Sequence, residues 1–80
     1  MKYIFTIPDR NSNRFRCEIY ENGEYMYSRE VHLYNKEYSD EMNVAILSKK
    51  MSDTLNITEQ KLNHPIRMAV LLGKSEFLYY

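Results

Sequence analysis

Residues 14–34 read RFRCEIYENGEYMYSREVHLY, two alternating apolar and polar runs joined at Asn22-Gly23. An Asn-Gly pair between alternating runs is the strongest short-range sign of a β-hairpin, because both residues accept the positive φ that a tight turn demands. A two-residue loop on this pair sets Phe15 opposite Glu30 and mixes apolar with charged residues on both faces. A three-residue loop, Glu21-Asn22-Gly23 with Gly23 as a left-handed bulge residue, sorts them. Its inward face is Phe15, Cys17, Ile19, Tyr25, Tyr27, Val31 and Leu33, broken only by Arg29. Its outward face is Arg14, Arg16, Glu18, Tyr20, Glu24, Met26, Ser28 and Glu30. The three-residue loop is therefore the expected register, with Tyr25 and Tyr27 in the core. A slip of one residue reverses every one of these assignments.

Upstream, Lys2 to Ile7 alternates with Tyr3, Phe5 and Ile7 on one side, and Pro8 stops it. The polar turn formers of PDRNSN then lead into the hairpin, so the first forty residues predict a three-stranded antiparallel meander. Downstream of Tyr34 the period changes. Val44, Leu47, Met51 and Leu55 recur at helical spacing behind Ser39, a good N-cap, with Asp40 and Glu41 in the first turn and Asn56 as a left-handed stop. This predicts one main helix over 40–55, lying across the apolar face of the meander. Met42 and Ile46 fall on its opposite side, where they either meet the C-terminal segment or offer a binding spot.

The last stretch, HPIRMAVLLGKSEFLYY, fits two descriptions. Pro65 and Gly73 bracket it as a first-turn proline and a C-terminal glycine bracket a helix. Gly73-Lys74 also suits a hairpin turn that sets Val70 opposite Phe77 and Met68 opposite Tyr79. The hairpin is the favoured reading, and Ser75 to Tyr80 is a strand in either. The fold class is thus α+β, a single domain over residues 1–80. Its antiparallel sheet, meander plus C-terminal strand or hairpin, packs on one main α-helix.

Eleven basic and eleven acidic residues cancel, which argues against a protein whose main task is non-specific binding of nucleic acid or membrane. The charge is segregated along the chain. Residues 1–16 carry Lys2, Arg10, Arg14 and Arg16 against Asp9, whereas residues 17–48 carry seven acids against Arg29 and Lys36. Cys17 is alone, so no disulfide framework exists, and it reads as a small buried hydrophobe. The apolar run of MKYIFTIPDR is too short for a signal peptide and no stretch approaches a membrane span, so a cytoplasmic protein is expected.

Catalysis needs a nucleophile with a base, paired carboxylates, or metal ligands at workable spacing. The two histidines, His32 and His64, are far apart, and the two glycines lie in unrelated turns, so no enzyme, metal or cofactor is expected. What stands out is eight tyrosines in eighty residues, interleaved with arginine. Such a surface either anchors a protein partner or stacks on single-stranded nucleic acid. Glu18, Glu24 and Glu30 among the outward arginines repel phosphate and favour a protein partner. In size and build the chain resembles the small proteins that phages and mobile elements use to block host machinery, anti-CRISPR proteins among them. The likeness covers no particular residues. The expected partner-binding residues are Arg10, Arg14, Arg16, Tyr20, Met26, Met42 and Ile46. The alternative is a nucleic-acid-binding module built on the Arg10–Arg16 region and surface tyrosines. Self-association through an open edge of the terminal strand is a third reading.

Overall fold

The chain builds an antiparallel sheet in the order β3-β2-β1-β4, with two helices on one face (a computed structural model describing residues 1–79). Tyr80, expected to extend the last strand, lies outside the described residues. The meander is β1 (Lys2–Thr6), β2 (Phe15–Glu21) and β3 (Glu24–Val31). The hairpin register differs from both sequence-based alternatives. Asn22 (φ 54°) and Gly23 (φ 80°) form a two-residue turn, with Glu21 opposite Glu24 and Tyr20 opposite Tyr25. A bulge then inserts Met26, so that Ile19 faces Tyr27 and Phe15 faces Val31. The twist of a two-residue turn with both residues at positive φ matches that of the strands. The bulge then returns the apolar set to one face.

The expected placement of Tyr25 and Tyr27 in the core is accordingly corrected. Tyr25 pairs with Tyr20 on the solvent face and is 52% exposed; Tyr27 shares the face of Ile19 but is 40% exposed. Leu33, also expected inward, lies beyond the end of β3 and is exposed. Phe15, Cys17, Ile19 and Val31 are buried as the alternation requires, and Phe5 stacks on Phe15 with ring centroids 5.8 Å apart.

Helix α1 (Asp40–Leu55) begins where its cap dictates, with the Ser39 hydroxyl accepting the Met42 N–H at 3.1 Å. It ends at Asn56 in the left-handed conformation, whose N–H bonds Ser52 O. Val44, Leu47 and Met51 are buried.

The one-helix, C-terminal-hairpin expectation gives way to a second helix, α2 (Glu59–Leu72), which passes through Pro65. Leu62, Ile66, Ala69 and Val70 are all buried and fall at i, i+4, i+7 and i+8, a helical stripe that opens before the proline. Gly73 (φ 89°) is the left-handed cap of this helix and donates to Ala69 O at 2.7 Å. The chain then turns directly into β4 (Lys74–Leu78), which lies antiparallel to β1 at the far side of the sheet from β3. An exposed Arg67–Glu41 pair joins the helices, and the guanidinium holds the Glu41 carboxyl below the usual carboxylate range.

Two buried polar side chains on α1 stand in contrast. The Asn43 amide donates to Asn35 O at 2.9 Å and accepts from Asn35 N–H at 3.0 Å, pinning the β3–α1 loop to the helix. The Ser48 hydroxyl is fully buried without a partner. Burial of an unpaired hydroxyl is unfavourable, and loss of a partner to a buried backbone group costs about 1–3 kcal/mol. Chemical denaturation is therefore expected to show Asn43→Leu less stable by about 1–3 kcal/mol. Ser48→Ala is expected to match the parent or exceed it, and a loss of stability there would show that the hydroxyl is satisfied.

Candidate interaction surface

The open face of the sheet is built in cross-strand rows. Tyr25, Tyr20, Lys2 and Leu78 form one row, Ser28, Glu18, Ile4 and Glu76 the next, and Glu30, Arg16, Thr6 and Lys74 the third. Tyr20 and Tyr25 meet edge to face at 5.8 Å, and the Lys2 ammonium stands 5.6 Å from the Tyr20 ring. Ile4 lies on this face outside the main core, yet is buried. Its row neighbours Glu18 and Glu76, and Lys2 and Tyr20 beside them, flank it with long side chains. Lys2, Arg16 and Lys74 are matched here by Glu18, Glu30 and Glu76, so the face is electrically mixed.

The expected partner-binding residues occupy separate places. Arg16 is on the open face, its Nη2 3.8 Å from Glu18 Oε2, and Arg14 approaches Glu30 at 3.7 Å from the strand end. Tyr20 is in the aromatic row. Arg10 is exposed but tied down. Its guanidinium donates to Val70 O at 2.7 Å and to the Tyr34 hydroxyl at 3.1 Å, holding the β1–β2 loop against the last turn of α2. A cation bonded to carbonyls at a helix C-terminus is a structural cap.

Met26 and Met42 are exposed, and Ile46 is half-buried. These three belong to a margin of the molecule that runs along β3 and onto the start of α1. Six of the ten exposed large apolar side chains among the described residues lie there: Tyr25, Met26, Tyr27, Leu33, Tyr38 and Met42. At its α1 end, His32, Leu33, Tyr38 and Ile46 line an open groove of about 300 Å³. At the hairpin end the Arg29 guanidinium lies 4.4 Å over the Tyr27 ring. Between them, Glu30 takes His32 at 3.3 Å. Tyr25, Tyr27, Leu33 and Tyr38 were not among the expected site residues. Tyr25 was assigned to the core by the wrong register, Tyr27 faces the helix side yet is left exposed on the edge strand, Leu33 lies past the strand's end, and Tyr38 sits in a loop that carries no period.

Among the described residues no group of three His, Cys, Asp or Glu side chains stands where a metal ion could be held. No described helix is long and apolar enough to cross a membrane. No family model, curated protein or solved structure matches the chain.

Cys17, fully buried on the helix side of β2, has its thiol pushed up to about 12 by burial and then by the Glu18 carboxylate. A thiol so placed holds no appreciable thiolate at neutral pH. Alkylation of the native protein is expected to proceed only as fast as the chain unfolds, and labelling at the rate of a free thiol without denaturant would contradict that burial.

Proposed function

We propose that the protein is a non-enzymatic binding protein that acts by occupying a surface on a partner protein. The observation that carries this reading is the β3 margin, an aromatic and methionine-rich band on an edge strand, continued by a groove at the start of α1. Tyrosine, methionine and arginine are enriched at protein interfaces, and tyrosine supplies its contact area at low loss of rotamer freedom. A run of exposed apolar residues this concentrated marks an interaction site more often than a solvated surface. The build also resembles that of small phage and mobile-element proteins that block host machinery, which supplies the class of partner: a host enzyme or effector complex whose surface is covered.

The nucleic-acid alternative is less well supported. The three cations of the open sheet face are equalled in number by carboxylates, Arg16 being 3.8 Å from Glu18, and Arg10 is bonded to the protein's own backbone. A phosphate-tracking surface needs several unpaired cations along one groove.

The test compares the parent with Tyr27→Ala, Tyr38→Ala and Met42→Ala as baits in host extract, followed by affinity measurement on the purified partner. All three side chains are exposed, so the variants are expected to fold. Each is expected to bind about tenfold or more weakly, the loss typical of an anchor residue. Unchanged affinity in all three would remove the β3 margin from the interface. Tight, steeply salt-dependent binding to labelled single-stranded oligonucleotides would overturn the protein-partner reading itself.

A further inference from the structure

The sheet has two free edges, and they are not equivalent. Edge β3 is blunted twice: the Met26 bulge breaks its regular spacing, and Arg29 stands on the core side opposite Cys17. Both are devices that discourage strand pairing. Edge β4 pairs with β1 in an unbroken register from Lys2–Leu78 to Thr6–Lys74. The Ser75 hydroxyl bonds Pro65 O, which holds this strand against α2.

The direction of its free main-chain groups follows from the ladder. Met1 and Tyr79 exchange both bonds, the Met1 ammonium to Tyr79 O at 3.1 Å and the Tyr79 N–H to Met1 O at 3.0 Å. At the other end Ile7 N–H donates to Gly73 O at 2.9 Å. Hydrogen-bonded pairs alternate in an antiparallel ladder. Odd-numbered residues of β4 therefore turn their main-chain groups to β1, while Lys74, Glu76 and Leu78 turn theirs to the free edge.

We propose that the protein pairs with a second copy of itself along β4, about a two-fold axis at Ser75, joining the two sheets into one. In this register Lys74 lies opposite Glu76 of the second copy and Glu76 opposite its Lys74. Both are hydrogen-bonded pairs of opposite charge on the open face. Moving the axis to Glu76 sets that carboxylate opposite itself, a repulsive pair. Moving it to Phe77 leaves Lys74 without its acid. An axis between two residues would oppose core-facing to solvent-facing side chains. Only the Ser75 axis matches every charge.

Apolar exposure points to the same edge. Leu72 and Leu78, 70% and 57% exposed, are the two most exposed large apolar side chains among the described residues, and they flank β4 at its two ends. The Ser75 axis carries Leu78 of each copy to the point where α2 of the other passes into β4. It also sets Phe77 beside Gly73, a glycine that an aromatic ring across the strands can cover. This inference stands apart from the β3 margin, which lies at the opposite edge of the sheet.

Sedimentation equilibrium from micromolar to millimolar concentration tests it, with amide exchange of Lys74 and Glu76 followed by NMR in parallel. A dimer is expected, with those two amides protected as it forms. Glu76→Lys sets lysine opposite Lys74 and is expected to weaken the dimer roughly tenfold or more, and the double variant K74E/E76K to recover it. Circular dichroism melts of each variant separate lost pairing from lost folding. Should Glu76→Lys fail to fold, parent and double variant are still expected to dimerise alike, with the same two amides protected. A parent that stays monomeric at millimolar concentration overturns the proposal. So does a dimer indifferent to the charge swaps, or one in which the two amides exchange no more slowly than in the monomer.

Discussion

The extra residue at Met26 is the constraint on which the architecture rests. The Asn22-Gly23 turn, with both residues at positive φ, fixes a pairing in which Glu30 would stand opposite Phe15. The core requires Val31 in that place. Turn chemistry and hydrophobic pattern thus demand registers one residue apart, and a single bulge satisfies both. Everything after β3 follows from this shift. Val31 enters the core, the chain leaves the sheet facing the helix layer, and Tyr34 is buried as the loop 32–39 folds over the β1–β2 loop and is pinned by Asn43.

The parts of the fold that were legible in the sequence are those where one local signal dominates. Ser39, the first-turn acids and Asn56 mark α1 to the residue, because cap chemistry and period agree. The alternation of Phe15, Cys17 and Ile19 likewise survives, since the strand that carries it has neighbours on both sides. The failures lie where two signals compete. In the hairpin the turn and the apolar pattern disagreed, and the conflict was resolved by altering the turn; the protein instead alters the strand. In α2, Pro65 reads as a boundary in the sequence, although Leu62 and Ile66 continue one stripe across it. Beyond Pro65 the run is apolar on all sides, so period cannot separate helix from strand there.

The surface was less legible than the core, for a physical reason. Which face a β residue occupies depends on the register, and the bulge at Met26 moves Tyr25 to the open face while leaving Tyr27 on the helix side. Long cations are harder still. Arg10 reads as a free charge in a polar loop, but its reach lets it find Val70 O, sixty residues later in the chain. Met26 is exposed as expected but through a bulge that replaces the expected loop, and Met42, for which the sequence left burial open, is exposed on the outward side of α1. The result is a molecule with a neutral, cross-paired sheet face, one apolar margin and one plain strand edge. These are three surfaces of different character on a small frame.

The placement of β4 carries a consequence for how the chain acquires its structure. Strand β1 forms early in the sequence and lies inside the sheet, yet one of its two neighbours comes from residues 74–78. The meander and α1 can assemble from segments near one another, and α2 can dock on α1, before that neighbour exists. During synthesis the inner strand therefore keeps an open edge until residues 74–78 are available. Closing the loop between β1 and β4 is then a late and comparatively slow event, as pairings between distant segments generally are. A chain stalled at that stage would expose a regular, apolar strand edge, the feature through which incompletely folded β-proteins aggregate.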